Sequence, residues 1–297
     1  MVRLLPLLLL SACATLKSNT SAPRSPFTVK VTGHGPPMLF IPGLSSPGEV
    51  WDEVVAHYQD QYECHVLSLA GFAGQPAIDA PLMPAVQNAL KQYVSEKNLK
   101  DPVVVGHSLG GFLGLWLASA HPDLVGRLII VDAAPALAAL QSPTITPMEM
   151  QMQASELRTQ MRMATPDERA RHARAMGKLM VIDASKADRI SAWSMRSDLD
   201  TVTDAFYFVM TQDLRPELGK VRAPTLVMGT WLGYRPYLSR ADLQQRFSEQ
   251  YAGCASCTVT LNDRAKHFVM LDDPEGLIAR VDLFLKSTPL APIVQAK

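Results

Sequence analysis

The sequence predicts an α/β fold, a mostly parallel central sheet flanked by helices and interrupted by a helical insertion. Three observations carry this. Short apolar runs at 38–41, 103–105 and 127–131 have the length and β-branched content of buried parallel strands, and stretches of helical spacing lie between them. The run Val103, Val104, Val105 passes through Gly106-His107-Ser108-Leu109-Gly110 straight into an apolar helix pattern of Phe112, Leu113, Leu115, Trp116 and Leu117. From 136 to 216 strand signals vanish, and helix-compatible stretches separated by Pro, Gly and Asp take over until the apolar run 224–228 restores the sheet. A chain of 297 residues, 47% hydrophobic, can bury one large core with an insert.

Each element has a local reason. Residues 27–32 alternate apolar and polar, as an edge strand with one wet face does. The run 38–41 is a central strand ended by Pro42-Gly43. In the helix expected over 50–58, Trp51, Val54, Val55 and Tyr58 share one face. A strand follows at 64–69, then a helix at 85–94 and a turn at Asp101-Pro102. His121, at the end of the helix after Gly110, reads as a C-terminal cap favoured by the helix dipole. The strand 127–131 ends in Asp132, at the edge where ligands gather in open α/β sheets. A helix at 240–251, a strand at 258–261 and a final helix at 274–285 complete the chain. Nine of the fourteen methionines lie in the insertion, either moulding around apolar ligands or filling a core. Trp193, Phe206, Tyr207 and Met210 are its candidate substrate contacts.

The segment 103–114 carries the chemistry. A strand that becomes a helix within two residues strains its central residue, and Gly106 and Gly110 remove the side chains that would collide across the turn. Ser108 Oγ is thereby exposed as a candidate nucleophile, and the Leu109 N–H faces a developing negative charge from the helix N-terminus. The Gly-His-Ser-Leu-Gly-Gly form of this turn resembles that of the α/β-hydrolase fold family in its esterase, lipase and lactonase branches, and the likeness extends over about 27–285. It implies a core of 27–135 and 217–288 with a helical cap, or lid, at 136–216. It also implies that Pro42-Gly43-Leu44 supplies a second oxyanion donor, the Leu44 N–H. The stretch His267-Phe268 followed by Pro274-Glu275 resembles the family's catalytic-histidine loop. One part departs from the pattern: after the strand 224–228, where the family commonly has Gly-x-x-Asp, the chain reads Gly229-Thr230-Trp231-Leu232, with no carboxylate until Asp242. The acid could be Asp132, as in branches that take it from the preceding strand tip, or Asp204, Asp213 or Asp242, or be absent.

These residues imply ester or lactone hydrolysis through an acyl-enzyme at Ser108, on a small-molecule substrate with an apolar acyl or alkyl group and without a cofactor. A non-catalytic binding protein on the same fold, or perhydrolysis at the same serine, are the alternatives. The seven histidines show no i, i+4 pair or His/Cys ligand cluster, which disfavours metal catalysis. With 28 basic and 28 acidic residues there is no charge-based reason to expect nucleic acid or an anionic membrane as partner. Residues 1–13 have a basic start, an apolar centre and Leu10-Ser11-Ala12-Cys13, which resembles a bacterial lipoprotein signal lipidated at Cys13. Residues 14–26 fit a flexible tether. The expected location is the bacterial cell envelope, as an outer-membrane lipoprotein facing the periplasm and touching membrane only through that anchor. Export permits disulfides among Cys64, Cys254 and Cys257, with Cys254 and Cys257 the candidate pair.

Overall fold

The structure, a computed structural model, describes residues 24–288. The expected lipidation site Cys13 and nearly all of the tether lie outside them. Seven strands form one sheet in the order β1-β3-β2-β4-β5-β6-β7. They are β1 (Phe27–Gly33), β2 (Pro37–Ile41), β3 (Glu63–Leu69), β4 (Val103–His107), β5 (Arg127–Val131), β6 (Thr225–Thr230) and β7 (Cys257–Asn262). Edge strand β1 runs antiparallel to β3 and all other pairs are parallel. The position of β1 explains its alternating pattern, since Phe27 is buried while Thr28 and Lys30 face water.

The helices are α1 (Asp52–Tyr58), α2 (Leu82–Glu96), α3 (Leu109–Ala120), α4 (Leu137–Gln141), α5 (Pro147–Met163), α6 (Pro166–Met180), α7 (Ala184–Arg196), α8 (Leu199–Thr211), α9 (Arg240–Gln250), α10 (Val269–Asp272) and α11 (Pro274–Ser287). Side chains alternate across each central strand, so the sheet carries two cores. Leu39, Ile41, Val104, Leu128, Ile130 and Val227 face one side, where α2, α3 and α9 pack. Met38, Phe40, Val103, Val105, Ile129 and Met228 face the other, covered by α1, α10 and α11.

The five helices α4–α8 fill the sequence between β5 and β6. Thr146 and Thr165 each form a reciprocal capping box, with Glu149 and Glu168, and a proline (Pro147, Pro166) opens each helix, which explains why α5 and α6 start abruptly. Asp183 and Asp198 cap α7 and α8 through their carboxylates. Ile190 and Trp193 of α7 join one core and Val202, Ala205 and Val209 of α8 join the other, so the insertion straddles the sheet. Its methionines do not converge: Met148, Met152, Met163 and Met195 are exposed, while Met150 and Met210 fill a small core with Ala138 and Ala154. Cys254 and Cys257 form a disulfide, and Cys64 is a buried free thiol.

Candidate active site at the strand tips

The tips of β4, β5 and β6 meet the loop after β7. Ser108 follows β4 directly and takes φ 52° and ψ −120°, a conformation that costs a non-glycine residue about 1–3 kcal/mol. Its neighbours hold it there. The Ser108 N–H donates to the Val131 carbonyl at 2.9 Å. A Cβ on Gly106 would lie 2.3 Å from the Gly110 carbonyl oxygen, and one on Gly110 would lie 2.2 Å from that of Ile41. The elbow therefore closes only because both positions lack side chains.

Asp132, at the tip of β5, also has positive φ, 48°. Its N–H donates to the Met228 carbonyl at 2.8 Å, continuing the β5–β6 pairing one residue past the strand. One carboxylate oxygen accepts the Thr230 N–H at 2.9 Å. The other lies 2.6 Å from Nδ1 of His267. A carboxylate can only accept from the imidazole, so Nδ1 carries the proton and Nε2 is left with its lone pair. The His267 and His107 ring centroids are 4.5 Å apart, which sets the His267 imidazole beside the elbow. Ser108 is half-buried, and among the described residues its hydroxyl has no hydrogen-bond partner.

On the other side of the serine stands the loop after β2. A Cβ on Gly43 would come within 3.1 Å of Ser108 Cβ, so the Pro42-Gly43-Leu44 backbone passes against Ser108. Among the described residues neither the Leu44 nor the Leu109 N–H donates to another protein group.

The remaining carboxylates named from sequence are engaged elsewhere. Asp204 pairs with Arg162 on the insertion, Asp213 with Arg215, and Asp242 with the Ser239 hydroxyl at the start of α9. Of the candidate substrate contacts, Trp193 requires correction. It is 2% exposed, its indole N–H donates to Glu49 at 2.9 Å and Arg189 covers its ring, so it joins the insertion to the core and shows no face to a ligand. Phe206, Tyr207 and Met210 gather around the small core between α4, α5 and α8, with Arg158 over the Tyr207 ring. His121 does cap α3, its N–H donating to the Leu117 carbonyl. Burial and then the nearby Lys91 charge push the pKa of its side chain down.

Sequence reasoning passed over several supports. The Tyr251 hydroxyl donates to the Ala133 carbonyl at 2.9 Å, beside Asp132. Burial, then the Asp132 charge, hold the Tyr234 and Tyr251 phenols protonated well above their usual range. The His267 loop is fastened to the insertion from both flanks. Lys266 Nζ donates to the carbonyls of Lys178 and Val181 at 2.8 and 3.0 Å, at the end of α6. The Asp272 carboxylate accepts from the Lys266 N–H at 3.0 Å and from the Ile182 N–H at 3.1 Å. Only the charge of Lys266 and Asp272, flanking a motif histidine, hinted at this.

Comparison with known proteins agrees with the architecture. The sequence matches the model of a family described as "Alpha/beta hydrolase family" over residues 38–280. Among curated proteins it is similar to a pimeloyl-[acyl-carrier protein] methyl ester esterase of Vibrio vulnificus, 29% identical over 107 residues, 36% of this chain and 40% of that protein. The matched stretch thus spans about two fifths of that relative's length. An esterase from Exiguobacterium antarcticum superposes with a TM-score of 0.71 at 16% identity, covering 88% of this chain and 95% of the other. An enol-lactonase from Burkholderia xenovorans does so with a TM-score of 0.65 at 16% identity, covering 88% and 96%. At such identities these two structures speak for the fold alone.

Proposed function

The chain belongs to the alpha/beta hydrolase family, and on that premise we propose that it is a serine hydrolase of carboxylic esters or lactones. The observation that carries this reading is the 2.6 Å contact between His267 Nδ1 and Asp132, on an imidazole packed beside the residue that precedes Ser108. Ser108 Oγ attacks the carbonyl carbon while His267 Nε2 takes its proton. Asp132 orients the ring and stabilises the imidazolium. The carbonyl oxygen becomes an oxyanion held by the Leu44 and Leu109 N–H groups. Collapse of the tetrahedral species expels the alcohol, which takes the proton from His267 and leaves an acyl-Ser108. Water, deprotonated by His267, then releases the acid and restores the serine. The esterase names of several relatives support the ester bond.

The test is a p-nitrophenyl ester chain-length series with fluorophosphonate labelling of Ser108. The expected result is turnover with a pre-steady-state burst wherever deacylation limits, single labelling at Ser108, and loss of both in Ser108→Ala. Turnover unchanged in Ser108→Ala would refute the reading.

A further inference from the structure

His107 is used by no step above, yet its surroundings are more specific than those of an ordinary core residue. It is completely buried between Gly106 and Ser108. Nε2 lies 3.0 Å from the backbone carbonyl of His267, which can only accept, so the proton sits on Nε2. Nδ1 is then a bare lone pair, and it has no partner among the described residues. That edge faces the loop after β2, for a Cβ on Gly43 would lie 2.8 Å from Nδ1. Phe268 and His267 pack tilted against the ring, with centroids at 4.7 and 4.5 Å, and Trp51 stands edge-on to it at 6.5 Å.

One imidazole therefore spans three separately encoded pieces: the loop bearing the Leu44 N–H, the elbow bearing Ser108, and the loop bearing His267. A leucine would satisfy burial and would not leave an unsatisfied nitrogen in the core, which costs about 1–3 kcal/mol. We propose that His107 is a positioning residue, whose Nε2–H donation to the His267 carbonyl and contact with Gly43 fix the catalytic imidazole relative to the nucleophile and the oxyanion loop. The inference rests on the serine-hydrolase reading. Burial, and after it the neighbouring His267, hold the His107 pKa well below its ordinary value, so the ring stays neutral and Nδ1 keeps its lone pair.

The test compares His107→Gln, His107→Asn and His107→Leu in the full chain. The glutamine amide reaches the position of Nε2, whereas the asparagine amide reaches only that of Nδ1. With p-nitrophenyl esters, His107→Asn and His107→Leu are expected to lose about 10²-fold in kcat with KM nearly unchanged, the scale of a misplacement of about 1 Å, and His107→Gln to recover most of it. A second readout is independent of turnover: the low-field Nδ1 proton of His267 in the nuclear magnetic resonance spectrum, expected in wild type and His107→Gln and broadened in the other two. If His107→Leu does not fold, the glutamine and asparagine pair carries the comparison. Equal kcat and equal proton signals in that pair would overturn the proposal. Absence of turnover and labelling in the wild type would instead overturn the serine-hydrolase reading, with the proton signal still reporting on His107.

Discussion

Substituting Asp132 by asparagine changes one atom and, through it, the protonation pattern of the site. The carboxylate accepts two hydrogen bonds, from His267 Nδ1 at 2.6 Å and from the Thr230 N–H at 2.9 Å. Asparagine has one accepting oxygen. If it faces His267, the amide NH2 confronts the buried Thr230 N–H, donor against donor, at a cost of about 1–3 kcal/mol. If it faces Thr230, the NH2 confronts Nδ1 and moves the imidazole proton to Nε2. That second arrangement satisfies every buried group and removes the base. Residual activity then comes from the minor tautomer and the oxyanion donors. The expected fall in kcat is about 10²–10⁴-fold, or roughly 3–5 kcal/mol of transition-state stabilisation. The assay is steady-state hydrolysis of a p-nitrophenyl ester, with a thermal melt to verify that the variant folds. A folded Asp132→Asn enzyme within about tenfold of wild type would show that no such tautomer control operates and would remove Asp132 from the catalytic set.

Tyr251→Phe deprives the Ala133 carbonyl of its donor, and a loss of about 1–3 kcal/mol in unfolding free energy is expected by denaturant titration, with a smaller kcat effect than Asp132→Asn. Burial lowers the pKa of both His65 and His107, so the folded chain stays neutral at sites where the unfolded chain takes up protons below about pH 6.5. Stability should therefore fall as pH drops through that value and level off only below the folded-state pKa, and His65→Gln should flatten part of the slope in melts recorded across this range. Reducing the Cys254–Cys257 disulfide, whose separation is only 3, should cost no more than about 2 kcal/mol, read as a modest lowering of Tm by a thiol reductant.

Legibility in the sequence followed the range over which each feature is decided. Ser108 could be read because a strained turn is a local event, spelled by Gly106 and Gly110 within a few residues. His267 stood out because its loop is likewise continuous in sequence. Asp132 was ambiguous because its partnership depends on β5 lying next to β6 with Val131 opposite Met228, a register that no single stretch encodes. Trp193 was misread for a related reason: its helix pattern marks an apolar face but does not say whether that face meets a ligand or Glu49, 144 residues away. His107 was passed over because its donor role exists only against a backbone carbonyl 160 residues distant, and carbonyls leave no trace in a sequence.

The fastening of Lys266 and Asp272 onto the junction of α6 and α7 bears on how such enzymes are re-engineered. Transplanting a foreign segment between β5 and β6 is a natural route to new substrate preference, and it treats that segment as an interchangeable module. Here the transplant would strip an ammonium of two carbonyls and a carboxylate of one N–H, on either side of the imidazole. A donor segment must therefore bring a helix end whose carbonyls and following N–H fall in the same places, or the loop that holds His267 against Asp132 loses its fastening.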